Sequence, residues 1–503
     1  MFKNFAGYHI VEAYHDWKSH ARISSPKGVK IAKLAVTIAV TAIIWFLPAS
    51  CMFIPDITAV EQRLLAIFAF ATLMWILEAV PSWTTSVAVV VLLLLTVSDS
   101  SLWFMREAAP ARELGTLVKY KSIIQCFADP IIMLFIGGFI LAIAATKTGL
   151  DASVARVLLR PFGSQSKYVL LGFILITAVF SMFISNTATA AMMLTFLTPV
   201  LKTLPADGKG KTGLALSIPI AANIGGIATP IGTPHNAIAL KYLNDPEGLD
   251  LNIGFGEWTM LMLPFTLLLL FIAWRLLLRL FPFKQKQIHL VIESGSRHDA
   301  QSMIVYVTFA VTVLMWMFDK FTGVNANAVA MIPIAVFCLT GIITKKDLEE
   351  ISWSVLWMVA GGFALGVALN ESGLARDMIE SIPFASWSPA AVIVGSGLLC
   401  WLMANFISHT ATAALLVPIL AIAGAGMKEQ LAALGGVETL LIGVALGSSL
   451  AMVLPISTPP NALAHSTGMV AQRDMEKVGI IMGMIGLLLG YTLLVVSGSA
   501  GII

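Results

Sequence analysis

The chain has 503 residues, 58% of them hydrophobic and only 12% charged, with a formal net charge of +3. Soluble domains carry about 25% charged residues, so most of this surface is not made to meet water, and a balance so near neutral implies no general affinity for nucleic acid or other polyanions. Four cysteines, Cys51, Cys126, Cys338 and Cys400, lie far apart, with neither metal-site spacing nor a disulfide framework, and read as small core residues.

Residues 1–33 are mixed and polar, with Lys3, Lys18, Arg22, Lys27, Lys30 and Lys33. They read as a cytoplasmic segment rather than a cleavable signal peptide, because the first long apolar run begins only near Leu34. Crossing a ~30 Å hydrocarbon core takes about 20 apolar residues. Plain spans are expected at 34–53, 64–80, 83–98, 130–147, 258–281, 303–319, 326–343, 354–370 and 478–497. The stretch 99–128, with its paired charges, reads as lying along the outer interface. Two further spans, 214–241 and 437–468, are interrupted by prolines, and two apolar stretches, 168–201 and 390–424, each carry a central polar triplet. The expected protein is therefore an all-α integral membrane protein of eleven crossings and two re-entrant hairpins. With the N-terminal cations inside, the linker 282–302 and the nearby Arg275, Arg279, Lys284, Lys286 and Arg297 also fall inside. Asp245, Glu247, Asp250 and Glu257 fall outside, as does the uncharged C-terminus. That orientation suits a multi-pass protein of the plasma (inner) membrane.

The chain repeats itself. Gly137-Gly138 precede Gly149-Leu150 at the spacing with which Gly361-Gly362 precede Gly373-Leu374. The stretch Ser185-Asn186-Thr187-Ala188-Thr189 matches Ser408-His409-Thr410-Ala411-Thr412. Finally, Thr229-Pro230-Ile231-Gly232-Thr233-Pro234-His235-Asn236 matches Leu454-Pro455-Ile456-Ser457-Thr458-Pro459-Pro460-Asn461. The offsets of the three blocks are 224, 223 and 225 residues. Residues 34–281 thus hold a first helix and repeat one, and 303–503 hold repeat two. With an odd number of crossings in each unit, the second copy is inverted.

The repeated polar interruptions carry the functional argument. A Ser-Asn-Thr tip facing lipid would leave polar groups unpaired at several kcal/mol, so it must line a cavity or bind something. The proline breaks free backbone carbonyls that suit a cation, and the half-helices beyond them aim positive N-termini at an anion. Glycine pairs in apolar helices are as readily packing devices as functional ones. Neither hairpin nor break contains Asp or Glu, which argues against a carboxylate proton relay and a cationic substrate. No nucleotide-binding loop or activated nucleophile appears, so the protein reads as a secondary transporter and not an enzyme.

These residues resemble the divalent anion/sodium symporter family, carriers of dicarboxylates, citrate and sulfate. The resemblance covers nearly the whole chain after residue 30 and implies a homodimer, each protomer having a scaffold and a transport domain that moves like an elevator. It implies a first Na⁺ site of Ser181, Ser185, Asn186 and the Gly232 carbonyl, and a small divalent anion held by Ser185, Asn186, Thr187, Ser408, His409, Thr410, Thr458 and Pro459. The second Na⁺ site, Ala404, Ser408, His409 and Ser457, departs from the family pattern. Ala404 stands for a serine and His409 for an asparagine, so two side-chain oxygens are lost and backbone carbonyls remain. His409 reads either as a neutral imidazole donating one hydrogen bond to substrate or as a titrating group that replaces one Na⁺ by H⁺. His235 and His465 read as packing or hydrogen-bonding residues. The expected function is Na⁺-coupled transport of a C4-dicarboxylate, or of citrate. The alternatives are H⁺ coupling, anion exchange or a sulfate-type substrate, and in another class an anion channel, which the closed paired hairpins disfavour.

Overall fold

The structure, a computed structural model, describes residues 27–501 apart from 53, 108–112, 203, 205–208, 246–248, 289–298 and 382–385. Lys3, Lys18, Arg22, Glu247 and Arg297 lie outside the described residues.

The described chain is helical throughout, with two isolated β-bridges and no named strand. We label the principal helices α1 Lys27–Phe46, α2 Ala59–Leu77, α3 Ser82–Thr96, α4 Pro130–Thr148, α5 Leu150–Leu159, α6 Ser166–Ser181, α7 Asn186–Lys202, α8 Lys209–Gly225, α9 Pro234–Leu243 and α10 Phe255–Leu280. The second half adds α11 Ala300–Met317, α12 Ala326–Leu339, α13 Trp353–Ser372, α14 Leu374–Ser381, α15 Pro389–Ala404, α16 His409–Gly426, α17 Gly436–Ser449, α18 Pro459–Ser466 and α19 Gln472–Ser499. Among the described residues eight helices are long and apolar enough to cross a membrane, or nine if the bent pair ending in α17 counts as one span. The expected spans at 83–98 and 326–343 are shorter apolar helices, Ser82–Thr96 and Ala326–Leu339, the latter broken at Ala330.

The repeated sequence blocks become repeated structure. Gly149 and Gly373 both end a helix in the left-handed region, at φ 70° and 91°, where only glycine is unstrained. The paired glycines are packing surfaces. A Cβ on Gly137 would strike the Ala330 backbone and one on Gly361 would strike Ser86. Each hairpin is two helices joined by a short turn, α6–α7 through 182–185 and α15–α16 through 405–408. Each interrupted span is likewise two helices, α8 then α9 and α17 then α18, with proline at the first positions of α9 and α18 where its missing N–H costs nothing. The halves exchange contacts: α9 packs on α16 and α17, while α18 packs on α7 and α8. Both hairpin tips and both breaks therefore belong to one packed body.

One expectation fails. Cys126 and Cys400 are buried, but Cys51 and Cys338 are exposed on the isolated chain, because they sit on helix faces with no protein packed against them.

Candidate functional site

Each break is held open by an asparagine. Asn236 Nδ2 donates to the carbonyls of Gly226 and Thr229, both at 2.9 Å, and Asn461 Nδ2 donates to those of Met452 at 2.9 Å and Leu454 at 3.1 Å. A helix that ends inside an apolar body leaves its last carbonyls unpaired, and these amides satisfy them. Each break is also tied to its own hairpin. The Thr229 hydroxyl donates to the Met182 carbonyl and the Ser457 hydroxyl, at 3.1 Å, to the Asn405 carbonyl. Met182 and Asn405 are equivalent positions in the repeat, so both copies anchor the same carbonyl through a different donor.

At the first tip the structure gathers oxygens. Ser181 Oγ lies 2.6 Å from Asn186 Oδ1 and 2.8 Å from the Ala222 carbonyl. A serine hydroxyl has one proton, so it satisfies one of these acceptors at a time, and three oxygens converge around a single hydrogen. That surplus of lone pairs is the chemistry of a small hard cation. Gly226 closes the cluster. A Cβ there would come 2.8 Å from Asn186 Oδ1, and the Gly232 backbone folds directly onto Gly226. Of the expected cation residues, Ser181, Asn186 and Gly232 are thus brought together. The Ser185 hydroxyl instead caps α7, accepting from the Ala188 N–H at 3.4 Å. Ser185, Asn186 and Thr187 are half-buried, as a tip open to a ligand would be.

The second tip differs. His409 is half-buried and its Nε2 donates to the Ala451 carbonyl at 2.7 Å. A carbonyl only accepts, so a neutral ring carries its proton on Nε2 and presents Nδ1 as an acceptor. The hydrogen bond that a neutral His409 was expected to give a substrate is committed to the backbone. The His235 ring stands 5.8 Å from His409, centroid to centroid. His235 is buried, its Nε2 pairs with Ser449 Oγ at 2.6 Å, and its Nδ1 has no partner among the described residues. Thr410 and Thr458 are buried, and Pro459 is exposed. The Thr458 hydroxyl accepts from the Asn461 N–H at 3.1 Å and from Asn223 Nδ2 at 3.3 Å. His465 Nδ1 donates to the Val470 carbonyl at 2.9 Å, a local structural role.

Three residues escape a motif reading. Asn223 crosses from α8 to the opposite break, reaching Thr458 Oγ1 and Asn461 Oδ1, each at 3.3 Å. Ser449 does the reciprocal job by pairing with His235. Asn405 lies inside the second tip, its side-chain oxygen engaged with the second break and its Nδ2 with the Trp401 carbonyl of its own hairpin. A polar residue in an apolar run was the available signal in each case.

The model of the sodium:sulfate symporter transmembrane region matches residues 28–499. An uncharacterized transporter of Haemophilus influenzae is 32% identical over 445 residues, covering 84% of this chain and 88% of that protein. The sodium-dependent high-affinity dicarboxylate transporter 3 of Caenorhabditis elegans is 32% identical over 412 residues, covering 70% of this chain and 71% of its own. Among solved structures, the YdaH transporter of Alcanivorax borkumensis superposes with a TM-score of 0.54 at 13% identity, over 76% of this chain and 88% of that one, a likeness of fold alone.

Proposed function

The chain belongs to the sodium:sulfate symporter family, a family of membrane transporters, and from that premise we propose that it carries a C4-dicarboxylate across the membrane together with Na⁺. The observation that carries this is the oxygen cluster of Ser181, Asn186 and Ala222 beside the Gly226–Gly232 break. Those neutral oxygens suit Na⁺, and Ser185, Ser181, Asn186 and the Gly232 carbonyl would share it. The half-buried tips, Ser185-Asn186-Thr187 and Ser408-His409-Thr410, with Thr458 and Pro459 at the start of α18, would hold the anion's carboxylates. Sodium bound first lowers the electrostatic cost of bringing a dianion into the site. The relatives named for sodium-dependent dicarboxylate transport support this choice of ion and substrate. A sulfate-type anion is the second reading, favoured by the family description.

The architecture proposed with it is eleven crossings in two inverted repeats, N-terminus cytoplasmic and C-terminus outside, assembled as a homodimer in the plasma membrane. The hairpins and broken helices would move as one rigid domain past a scaffold. The exchanged contacts of α9 and α18 support such a unit, since they leave neither repeat free to move alone. The deciding test is uptake of labelled succinate into proteoliposomes. An inward Na⁺ gradient should drive it and an inward H⁺ gradient in K⁺ should not. Uptake that follows H⁺, or that needs only internal dicarboxylate, would assign the protein to H⁺ coupling or exchange.

A further inference from the structure

We infer that Asn405 closes the second cation position from within, so that a single sodium ion travels with each dianion. The inference rests on the sodium-coupled reading above and concerns its stoichiometry.

The two tips occupy equivalent places but differ in how their oxygens are used. At the first, three oxygens share one proton. At the second, Asn405 Oδ1, the Asn405 carbonyl, Ser457 Oγ and the Ser408 and Ala451 carbonyls each face a donor. Asn405 Oδ1 accepts from the Val453 N–H at 2.9 Å and Asn405 Nδ2 donates to the Trp401 carbonyl at 2.8 Å, while the one proton of the Ser457 hydroxyl serves the Asn405 carbonyl at 3.1 Å, with Oδ1 beside it at 3.3 Å. Ser457 Oγ also accepts from the Leu454 N–H at 2.9 Å. The Ser408 carbonyl takes both the Thr412 N–H at 2.9 Å and the Thr412 hydroxyl at 3.1 Å. In the first repeat the Ser185 carbonyl takes the Thr189 N–H at 3.0 Å, and the Thr189 hydroxyl has no partner among the described residues. The Ala451 carbonyl takes His409 Nε2. Ala404 supplies no side-chain oxygen.

Asn405 is the residue that makes this closure. Its counterpart in the first repeat, Met182, has no side-chain nitrogen or oxygen to pair with a break. Asn405 is buried and sends its carboxamide oxygen into the second break, where the N–H of Val453 binds it as it would bind an anion and the hydroxyl of Ser457 binds the Asn405 carbonyl beside it. Donors aimed inward at that point repel a cation, and a sodium ion would have to break several of these bonds to find ligands. The residues thus do not fit the second site that the family pattern implies.

The consequence is electrical. One Na⁺ with a dianion moves one net negative charge, two make transport electroneutral, and three move one positive charge. The experiment uses the full-length protein in proteoliposomes at about pH 7.5, with equal succinate on both sides, a tenfold inward Na⁺ gradient and a K⁺/valinomycin clamp. Net uptake is expected to cease at an inside-negative potential of about 59 mV, the tenfold gradient converted at one net charge. Na⁺ activation is expected to have a Hill coefficient of about 1. Uptake that ignores the potential, or that strengthens as the inside becomes more negative, overturns the inference and leaves the sodium-coupled reading intact. A null potential that moves with a pH gradient also overturns it, since a proton then shares the load. Uptake without any Na⁺ requirement defeats the underlying reading itself. Labelled sulfate serves as the probe if succinate is not carried, with the same signs. The triple variant Ala404→Ser, Asn405→Met, His409→Asn restores the first tip's residues to the second and should raise the Hill coefficient from about 1 toward 2. An unchanged coefficient in a folded, sodium-dependent variant removes Asn405 from this role. Should the variant not fold, the wild-type null potential still decides.

Discussion

Replacing Ser181 by alanine tests the first cation site at its least replaceable atom. The residue is 0% exposed, so no water can enter to substitute for the lost hydroxyl. The change removes one of three converging oxygens and leaves Asn186 Oδ1 and the Ala222 carbonyl without their shared proton. An interaction between a buried oxygen and a charge is worth about 1.5–3 kcal/mol. At about 1.4 kcal/mol per decade, the Na⁺ concentration for half-maximal uptake should rise about 10- to 150-fold. Uptake at saturating Na⁺ should fall much less. The assay is succinate uptake against external Na⁺ in proteoliposomes, with Thr195→Val as control. The Thr195 hydroxyl only donates back to its own helix, to the Ala191 carbonyl at 2.9 Å, so that variant should stay within about twofold of wild type. A Ser181→Ala protein whose Na⁺ dependence is unchanged would refute the cation assignment, however well the rest of the fold survives.

Three further outcomes follow from the same geometry. In Gly226→Ala the new Cβ would lie 2.6 Å from Thr233 Cγ2 and 2.8 Å from Asn186 Oδ1, so Na⁺-driven uptake should fall at least tenfold while thermal unfolding of the purified protein shifts only modestly. Asn236→Ala and Asn461→Ala each strip two carbonyls of their donors, and should each cost about 1–3 kcal/mol of stability, read as a lower melting temperature in detergent. Outside the spans, burial pushes the Asp347 carboxyl up, but bonds from Lys147 Nζ at 2.7 Å and from Thr344 outweigh it, and its pKa lies below the ordinary value. A depressed carboxylate stabilises the fold above its unfolded pKa, about 3.9, and loses that contribution as pH falls through the folded value. Melting temperature should therefore hold between pH 7 and 5 and decline below about 4, and Lys147→Met should flatten that decline.

How much of this the sequence disclosed depends on whether a residue works along the chain or across it. The glycine-capped helix ends, the hairpins and the broken helices were legible because each is written locally. Gly149 and Gly373 mark stops, prolines mark N-termini, and the duplication separates such signals from chance. The hairpin observed at 166–202 was expected at 168–201, and the helices of the second break end at Ser466 where 468 was expected. Span count was harder, because Ser82–Thr96 and Ala326–Leu339 are too short to be identified by length alone. Least legible were the bonds between repeats. Asn223 sits 235 residues from Thr458, and Ser449 sits 214 from His235. No periodicity predicts such a partner, since the exchange of α9 and α18 between the halves exists only in three dimensions. Ala404 and His409 betray by residue type alone that the second ion position lacks side-chain ligands. Asn405 does not betray its own part, because a lone asparagine in an apolar run reads equally as helix glue or as a ligand. What separates those readings is which atoms the carboxamide meets. A side-chain oxygen that receives the Val453 N–H, beside a carbonyl that receives the Ser457 O–H, is a plug made of protein. Loss of ligands alone would leave a weak second sodium site, whereas a plug leaves none, and the two differ in the charge carried with each dianion, none with two sodium ions and one negative with one.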